Sequence, residues 1–243
     1  MHRFYCPNLE TGVLSDDESH HAIHVLRLQE GETISVFNGR GKECNARISR
    51  IASNRAEFSV VNASQTPESV CHITIGQALP KGKAMEVIIQ KSTELGLRQI
   101  CPILSDRSVV HLQGDKNEAK QEKWQQIAVE ACKQSGQNWL PDVKAAANLD
   151  SFLADAPRNN LKLIASLQPE ALPLAKVLAD ARTAGTLSHI TFLIGPEGDF
   201  TPAEIGKARS AGYLPVSLGP TILRSETAAI FLASVIVYES LRK

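Results

Sequence analysis

The sequence predicts an α/β chain in two parts: a small N-terminal β-barrel, then a larger domain built on a parallel sheet. Three observations lead there. Residues 33–61 carry three short strand-like runs broken by turn residues, the spacing of a small barrel. From residue 72 onward strand-like and helix-like segments alternate, the rhythm of a parallel sheet with helices on both faces. The chain closes on LGPTILRSETAAIFLASVIVYESLRK, where residues 228–237 are apolar except for Ser234. A helix with no polar stripe belongs inside protein.

Each element has a local reason. SDDESHHAIHVLRL reads as a short helix, with Ser15 and Glu18 forming a capping-box signature. TISVFNG, CNARISRI and AEFSVV are the barrel strands, and Asn38-Gly39 marks a hairpin. SQTPES, residues 64–69, is polar, contains Pro67 and predicts a linker, so the domains are drawn as 1–70 and 71–243. Beyond it come strand HITIGQAL, helix AMEVIIQKSTELG, strand LRQICPIL and helix KNEAKQEKWQQIAVEACKQSG. LKLIASL, a helix over about residues 174–184, and HITFLIG continue the alternation. TPAEIGKARSAG starts with Thr201 as N-cap, Pro202 at the first helical position and Glu204 closing a capping box. YLPVSLG and the apolar helix complete the series.

Bulk properties exclude several classes. Lysine plus arginine and aspartate plus glutamate both total 26, so net charge gives no steering toward polyanions. Cys6, Cys44, Cys71, Cys101 and Cys132 are scattered without CxxC spacing, which suits a reducing cytoplasm and argues against a disulfide framework or a zinc site. MHRFYCPNLE lacks a signal-peptide core, and the apolar run falls short of the roughly 20 residues a membrane span needs. No membrane partner and no metal are expected. His20 and His24 stand four apart but have no third ligand in view.

Ligands of α/β sheets bind beyond the carboxyl ends of strands, so ITFLIGPEGDFTPAEI and PVSLGPTILRSETAAI come first. Both strands end in tight Gly-Pro turns where backbone can approach a ligand. Glycine loops before helices commonly cradle phosphate. Here Glu197 and Asp199 stand in the loop and would repel a pyrophosphate, and neither GxGxxG nor GxxxxGK[ST] is present. A neutral or cationic small molecule fits better. Lys81 and Lys83 open a helix, where the dipole disfavours cations; an RNA phosphate bound there, or simple solvation, would account for them. Arg40, Lys42, Arg47, Arg50 and Arg55 form a second basic cluster, read as an RNA backbone track or a solvated face.

Together HHAIHVLRL (with Arg27), LPKGKAMEVIIQKSTELG, EACKQSG, LIGPEGDFTPAEI and SLGPTILRSETAA resemble, in order across nearly the whole chain, the RsmE family of ribosomal RNA uridine methyltransferases in the SPOUT superfamily. The resemblance implies an N-terminal PUA-like β-barrel and a SPOUT-type parallel-sheet methyltransferase domain tied in a trefoil knot. It implies S-adenosyl-L-methionine as cofactor, an obligate homodimer, and methylation of the N3 imide nitrogen of a uridine in small-subunit (16S) ribosomal RNA. Carried across, the cofactor residues are Ile194, Gly195, Glu197, Gly198, Leu218, Gly219, Leu223, Thr227 and Ala228. The RNA-binding residues are Arg27, Arg40, Lys42, Arg47, Lys81 and Lys83. Arg224 and Glu226 are the catalytic candidates, Arg224 orienting the base or stabilising its charge. A salt bridge from Arg224 to Glu226 or Glu197 is the structural alternative. The sequence departs from the family pattern at Asp199, in place of a second glycine in GPEGG, and at Thr221 and Gln137, where arginines are common. The first is expected to alter a turn without moving the pocket. Ser225 or Glu226 is expected to cap or electrostatically support the start of the last helix, whose greasy faces would meet its own sheet and a partner subunit.

Overall fold

Residues 1–108, 114–155 and 161–242 are described in a computed structural model, and the chain separates into two compact units. One comprises Met1–Glu68 with Val129–Leu140, the other Ser69–Ala128 with Pro141–Lys243. The return of Val129–Leu140 to the first unit is something no strand or helix period announces.

In the first unit β1 (His2–Tyr5) opens the chain. Helix α1 (Asp16–His20) follows and runs on into a π-helical turn over His21–Val25. Then come β2 (Thr33–Phe37), β3 (Lys42–Ala52) and β4 (Arg55–Gln65). The sheet order is β1-β2-β3-β4; β1 and β2 are parallel and the other pairs antiparallel. The expected hairpin turn is present, with Asn38 Oδ1 accepting from the Arg40 and Lys42 amides at 2.8 and 3.1 Å. Along β3, Cys44, Ala46 and Ile48 are buried while Asn45 and Arg47 face out, the period-two alternation of a half-buried strand. The segment after β1 returns to the far side of β4, where Phe58 N–H donates to Gly12 O at 2.7 Å and Leu14 N–H to Ala56 O at 3.0 Å. That pairing curls the small sheet toward closure over Phe4, Ile34, Val36 and Ile48.

Only half of the capping box at α1 forms. Ser15 Oγ accepts from Glu18 N–H at 3.3 Å, but the Glu18 carboxylate does not reach back. It turns inward at 6% exposure and takes Lys133 Nζ on both oxygens at 3.1 Å. A buried ammonium needs an anion, whereas the amide of exposed Ser15 can be satisfied by water. Arg3 pins the same returning segment. Its guanidinium lies 4.2 Å from the Phe37 ring centroid, donates to Cys132 O at 2.9 Å and Gln137 O at 3.3 Å, and bonds Asn138 Oδ1. The start of the expected linker is tied down too: Thr66 N–H donates to Gly41 O at 2.8 Å and Trp139 Nε1–H to Thr66 O at 3.2 Å.

The second unit follows the predicted alternation. β5 (His72–Ala78), α2 (Ala84–Glu94), β6 (Gln99–Leu104) and α3 (Asp115–Ser135) come first; the last turns of α3, from Val129, belong to the first unit. Short β7 (Asp142–Val143) and β8 (Ala147–Asn148), helix α4 (Leu149–Asp155), β9 (Leu161–Ala165) and β10 (Leu172–Pro173) follow. The chain ends with α5 (Leu174–Thr183), β11 (His189–Ile194), α6 (Pro202–Ser210), β12 (Leu214–Ser217) and α7 (Ser225–Leu241). The sheet order is β10-β12-β9-β11-β5-β6-β7, with β8 also on β6, and every pairing is parallel. Helices α2 and α7 pack together, with α7 against β5 and β11. Residues of α4 and α6 join Leu193, Phe200 and Tyr213 in a core that includes Phe152 and Ile205. Gly76 on β5 allows that close approach: a Cβ there would stand 2.6 Å from Phe152 Cζ and 2.8 Å from Leu193 Cδ2. No described helix is long and apolar enough to cross a membrane.

Candidate active site at the carboxyl ends of the strands

The two loops singled out in the sequence leave β11 and β12 at the same edge of the sheet, separated by β9. The first is built tightly. Ile194 ends β11 buried beside Gln77 of β5. Asp199 N–H donates to Pro196 O at 2.9 Å, closing a turn that leaves Glu197 and Gly198 exposed. Asp199 has φ +60°, the left-handed conformation that glycine takes freely and aspartate tolerates. Its Oδ1 accepts from Phe200 N–H at 2.7 Å, and burial pushes its carboxyl above the ordinary range. The departure from GPEGG therefore keeps the turn.

The helix after this loop is fixed by the predicted capping box: Thr201 Oγ1 accepts from Glu204 N–H, and Glu204 takes the Thr201 amide at 2.8 Å. The same buried carboxylate accepts from the Asp106 amide at 2.9 Å, so it ties the loop after β6 to the loop after β11. Arg107 adds a guanidinium hydrogen bond to Gly198 O, a contact absent from the sequence reading. Glu197 Oε1 accepts the Lys81 backbone N–H at 2.9 Å. Lys81 and Lys83 themselves are exposed, in the turn before α2.

The second loop is more open. Leu218 and Leu223 are half-buried, while Gly219, Thr221 and Ile222 face solvent. Gly219 has φ +128°, and a Cβ there would meet nothing within 4 Å; backbone strain rather than crowding favours glycine. Arg224 takes the N-cap position of α7 without a side-chain cap. It is exposed and makes no ion pair with Glu226 or Glu197 among the described residues. Neither Ser225 nor Glu226 caps the helix through its side chain, while Glu226 stands in the first turn, where a carboxylate supports the helix start electrostatically. Ser225, at 5% exposure, points its hydroxyl sideways, donating to Gly195 O and accepting from Gln77 Nε2, each at 2.9 Å. The Gly195 carbonyl and the buried Gln77 amide hold it in place of a helix amide. Thr227 is exposed and Ala228 buried one turn in. The loop after β9, with exposed Leu167, lies between the other two. Its strand-to-helix position was the signal that could have found it.

The basic residues of the first unit do not form one patch. Arg40 sits in the β2–β3 turn and Lys42 at its base, while Arg47 lies on the outward face of β3. Lys42 shares the parity of the inward residues, and about 17 Å of strand separates it from Arg47. Arg50 and Arg55 are at the far end of the hairpin, Arg55 paired with Asp16 at 3.2 Å. Arg27 stands apart, exposed with φ +56° after the π-helical turn. The cations are spread over a turn, both parities of β3 and the far end of the hairpin. Among the described residues no group of three or more histidine, cysteine or acidic side chains could hold a metal ion.

At the carboxyl edge, then, backbone from glycine loops, two loop carboxylates and an unpaired arginine converge without a phosphate cradle. Comparison with known proteins agrees with that chemistry. Residues 66–237 match the model of an RNA methyltransferase domain, and residues 14–61 match an RNA methyltransferase PUA domain. The chain is 30% identical to ribosomal RNA small subunit methyltransferase E of Bacillus subtilis over 231 residues, covering 93% of this chain and 90% of that protein. It resembles the crystal structure of a ribosomal RNA small subunit methyltransferase E from Neisseria gonorrhoeae bound to S-adenosylmethionine, with a TM-score of 0.85, 35% identity, and 97% and 96% of the two chains covered. A putative methyltransferase of Legionella pneumophila in complex with the same cofactor aligns with a TM-score of 0.82 and 32% identity over 96% of each chain. The chain belongs to the RNA methyltransferase family that includes ribosomal RNA small subunit methyltransferase E.

Proposed function

We propose that the protein transfers the methyl group of S-adenosylmethionine to N3 of a uridine in small-subunit ribosomal RNA. The observation that carries this reading is the junction of the two glycine-turn loops at one strand edge, tied by the Ser225–Gly195 hydrogen bond. The residues fit the cofactor by their chemistry: carboxylates at 197 and 199 suit a cationic sulfonium and disfavour a pyrophosphate. Ile194, Gly195, Glu197, Gly198, Leu218, Gly219, Leu223, Thr227 and Ala228 would line its site. The cofactor supplies an electrophilic methyl group.

The chain's task is then positioning and charge. N3 of uridine is nucleophilic only after losing its proton, which leaves negative charge spread over the neighbouring carbonyl oxygens. Arg224, exposed and without a carboxylate partner among the described residues, is the cation assigned to that charge. Glu226, half-buried two residues on, is the second catalytic candidate at the same helix start. With the cofactor bound, its sulfonium would give up the methyl to N3 as the carbon–sulfur bond breaks, once the imide proton has gone to solvent or an acceptor, with S-adenosylhomocysteine as the leaving group. Lys81, Lys83, Arg27, Arg40, Lys42 and Arg47 are assigned to the RNA backbone, and the reaction to the cytoplasm.

The knot and the homodimer belong to the same proposal. Passage of residues 221–225 beneath the β11 loop is supported by the buried bonds of Ser225 to Gly195 and Gln77. Dimerisation through α7 is supported by Phe231, 42% exposed, and by Tyr238 and Leu241 beyond it, on a helix whose Ala229, Leu232, Ala233 and Ile236 already face the interior. Calorimetry with S-adenosylmethionine tests the reading first. Micromolar binding supports it, and no binding would leave an RNA-binding scaffold instead.

A further inference from the structure

The start of α7 holds a buried hydrogen-bond chain that the mechanism above does not use. Gln77 on β5, 0% exposed, donates from Nε2 to Ala78 O at 2.8 Å and to Ser225 Oγ at 2.9 Å. Ser225 Oγ passes its own proton to Gly195 O at 2.9 Å. The other amide atom, Gln77 Oε1, is buried with no hydrogen-bond partner among the described residues.

An orphaned buried acceptor is costly and calls for a reason. Turning the amide over would not help. It would set Oε1 against the Ala78 carbonyl and against a serine oxygen whose proton is committed to Gly195. The orientation is therefore dictated by the serine, and the serine is held between two strands. Ser225 directly follows Arg224, whose carbonyl is fixed by Ala228 N–H at 2.8 Å while its side chain is exposed and has no ion pair among the described residues. The backbone of Arg224 is anchored on its C-terminal side by both bonds, and its guanidinium is left free to meet a ligand.

We infer that Ser225, oriented by Gln77, is a positioning residue: its hydroxyl sets the Gly195 carbonyl of the cofactor loop and the backbone from which Arg224 reaches the substrate. This rests on the methyltransferase reading above. The chain of donors runs in one direction, from β5 through the helix start to the end of β11, so removing the hydroxyl takes its donor from Gly195 O and leaves Gln77 Nε2 with Ala78 O alone. A serine used only for packing would not need an amide turned toward it at the cost of its own acceptor.

A double-mutant cycle separates the two roles. Ser225→Ala should lower kcat on the order of tenfold, a coupling of about 1.4 kcal/mol, with KM for RNA unchanged within about twofold. In an Arg224→Ala background the same change should cost nothing further in kcat. Gln77→Met, which keeps the volume and removes the donor, should act in the same direction with a smaller loss; it carries the test if Ser225→Ala does not fold. Equal losses with and without Arg224, or full kcat in Ser225→Ala, would overturn the assignment. Absence of methyl transfer by the unaltered protein would instead remove the reading on which it rests.

Discussion

Glu204 offers the sharpest structural test of how the cofactor loop is held. Its buried carboxylate accepts from the Thr201 amide at 2.8 Å, the Thr201 hydroxyl at 3.0 Å and the Asp106 amide at 2.9 Å. Glu204→Ala removes the side-chain half of the capping box, the bond from the Thr201 amide, worth about 0.5–1.5 kcal/mol, and leaves the Asp106 amide without its charged acceptor, worth about 1.5–3 kcal/mol. The two overlap through one side chain, so the expected loss is about 2–4 kcal/mol. For a chain of this size each kcal/mol moves Tm by roughly 2–4 °C, giving a drop of about 5–15 °C. Glu204→Gln should fall about midway, because its amide presents an NH₂ group to one of the two backbone donors. Differential scanning fluorimetry reads the stability. Calorimetry reads the loop, where cofactor affinity should weaken roughly five- to tenfold, or about 1–1.4 kcal/mol. A Glu204→Ala protein melting within about 2 °C of the parent, with unchanged cofactor affinity, would refute the claim that this carboxylate joins the two loops.

Three further expectations concern other parts of the chain. Lys133→Met strands the Glu18 carboxylate, whose side chain is 8% exposed beside the 11% exposed ammonium, and should cost about 3–5 kcal/mol in urea unfolding. Burial already holds the Glu18 carboxyl above its ordinary value of 4.5. The folded chain therefore binds that proton more readily than the unfolded chain, and this group's contribution falls as pH rises through the raised range. The Lys133→Met defect should accordingly shrink on acidification; a defect independent of pH would contradict the pairing. Gly76→Ala drives a methyl into Phe152 and Leu193 at 2.6 and 2.8 Å and should destabilise by about 1–3 kcal/mol, read as a lowered Tm. Phe231→Asp should give a folded monomer by light scattering; a dimer of undiminished stability would exclude α7 as the interface.

Much of this was legible because strand–helix alternation and the turn chemistry of GPEGD and LGPT are local signals. The capping box at Thr201 is local as well, and it formed as read. What stayed hidden depended on long-range partners. Glu18 carries the same local signature as Glu204, yet a buried lysine more than a hundred residues away draws it inward. HRFY is too short to announce a strand, but it becomes β1 by lying parallel to β2. Ser225 reads as a helix cap in any window of sequence; only the crossing of β5, β11 and α7 turns its hydroxyl sideways. Arg107 and Gln77 sit in runs with no motif, and geometry alone brings them to the site. The basic residues, close in sequence, are spread apart by the alternation of β3 and the length of its hairpin with β4, so that Lys42 and Arg47 differ in parity.

The central claim is the chemistry at uridine N3. Small ribosomal subunits from cells lacking the protein, incubated with it and methyl-labelled S-adenosylmethionine, provide the substrate for one decisive measurement: nucleoside analysis by mass spectrometry of the recovered RNA. The account expects label in 3-methyluridine at one position, with a much reduced but measurable rate in Arg224→Ala. Label on a ribose, on another base or only in transfer RNA would contradict it.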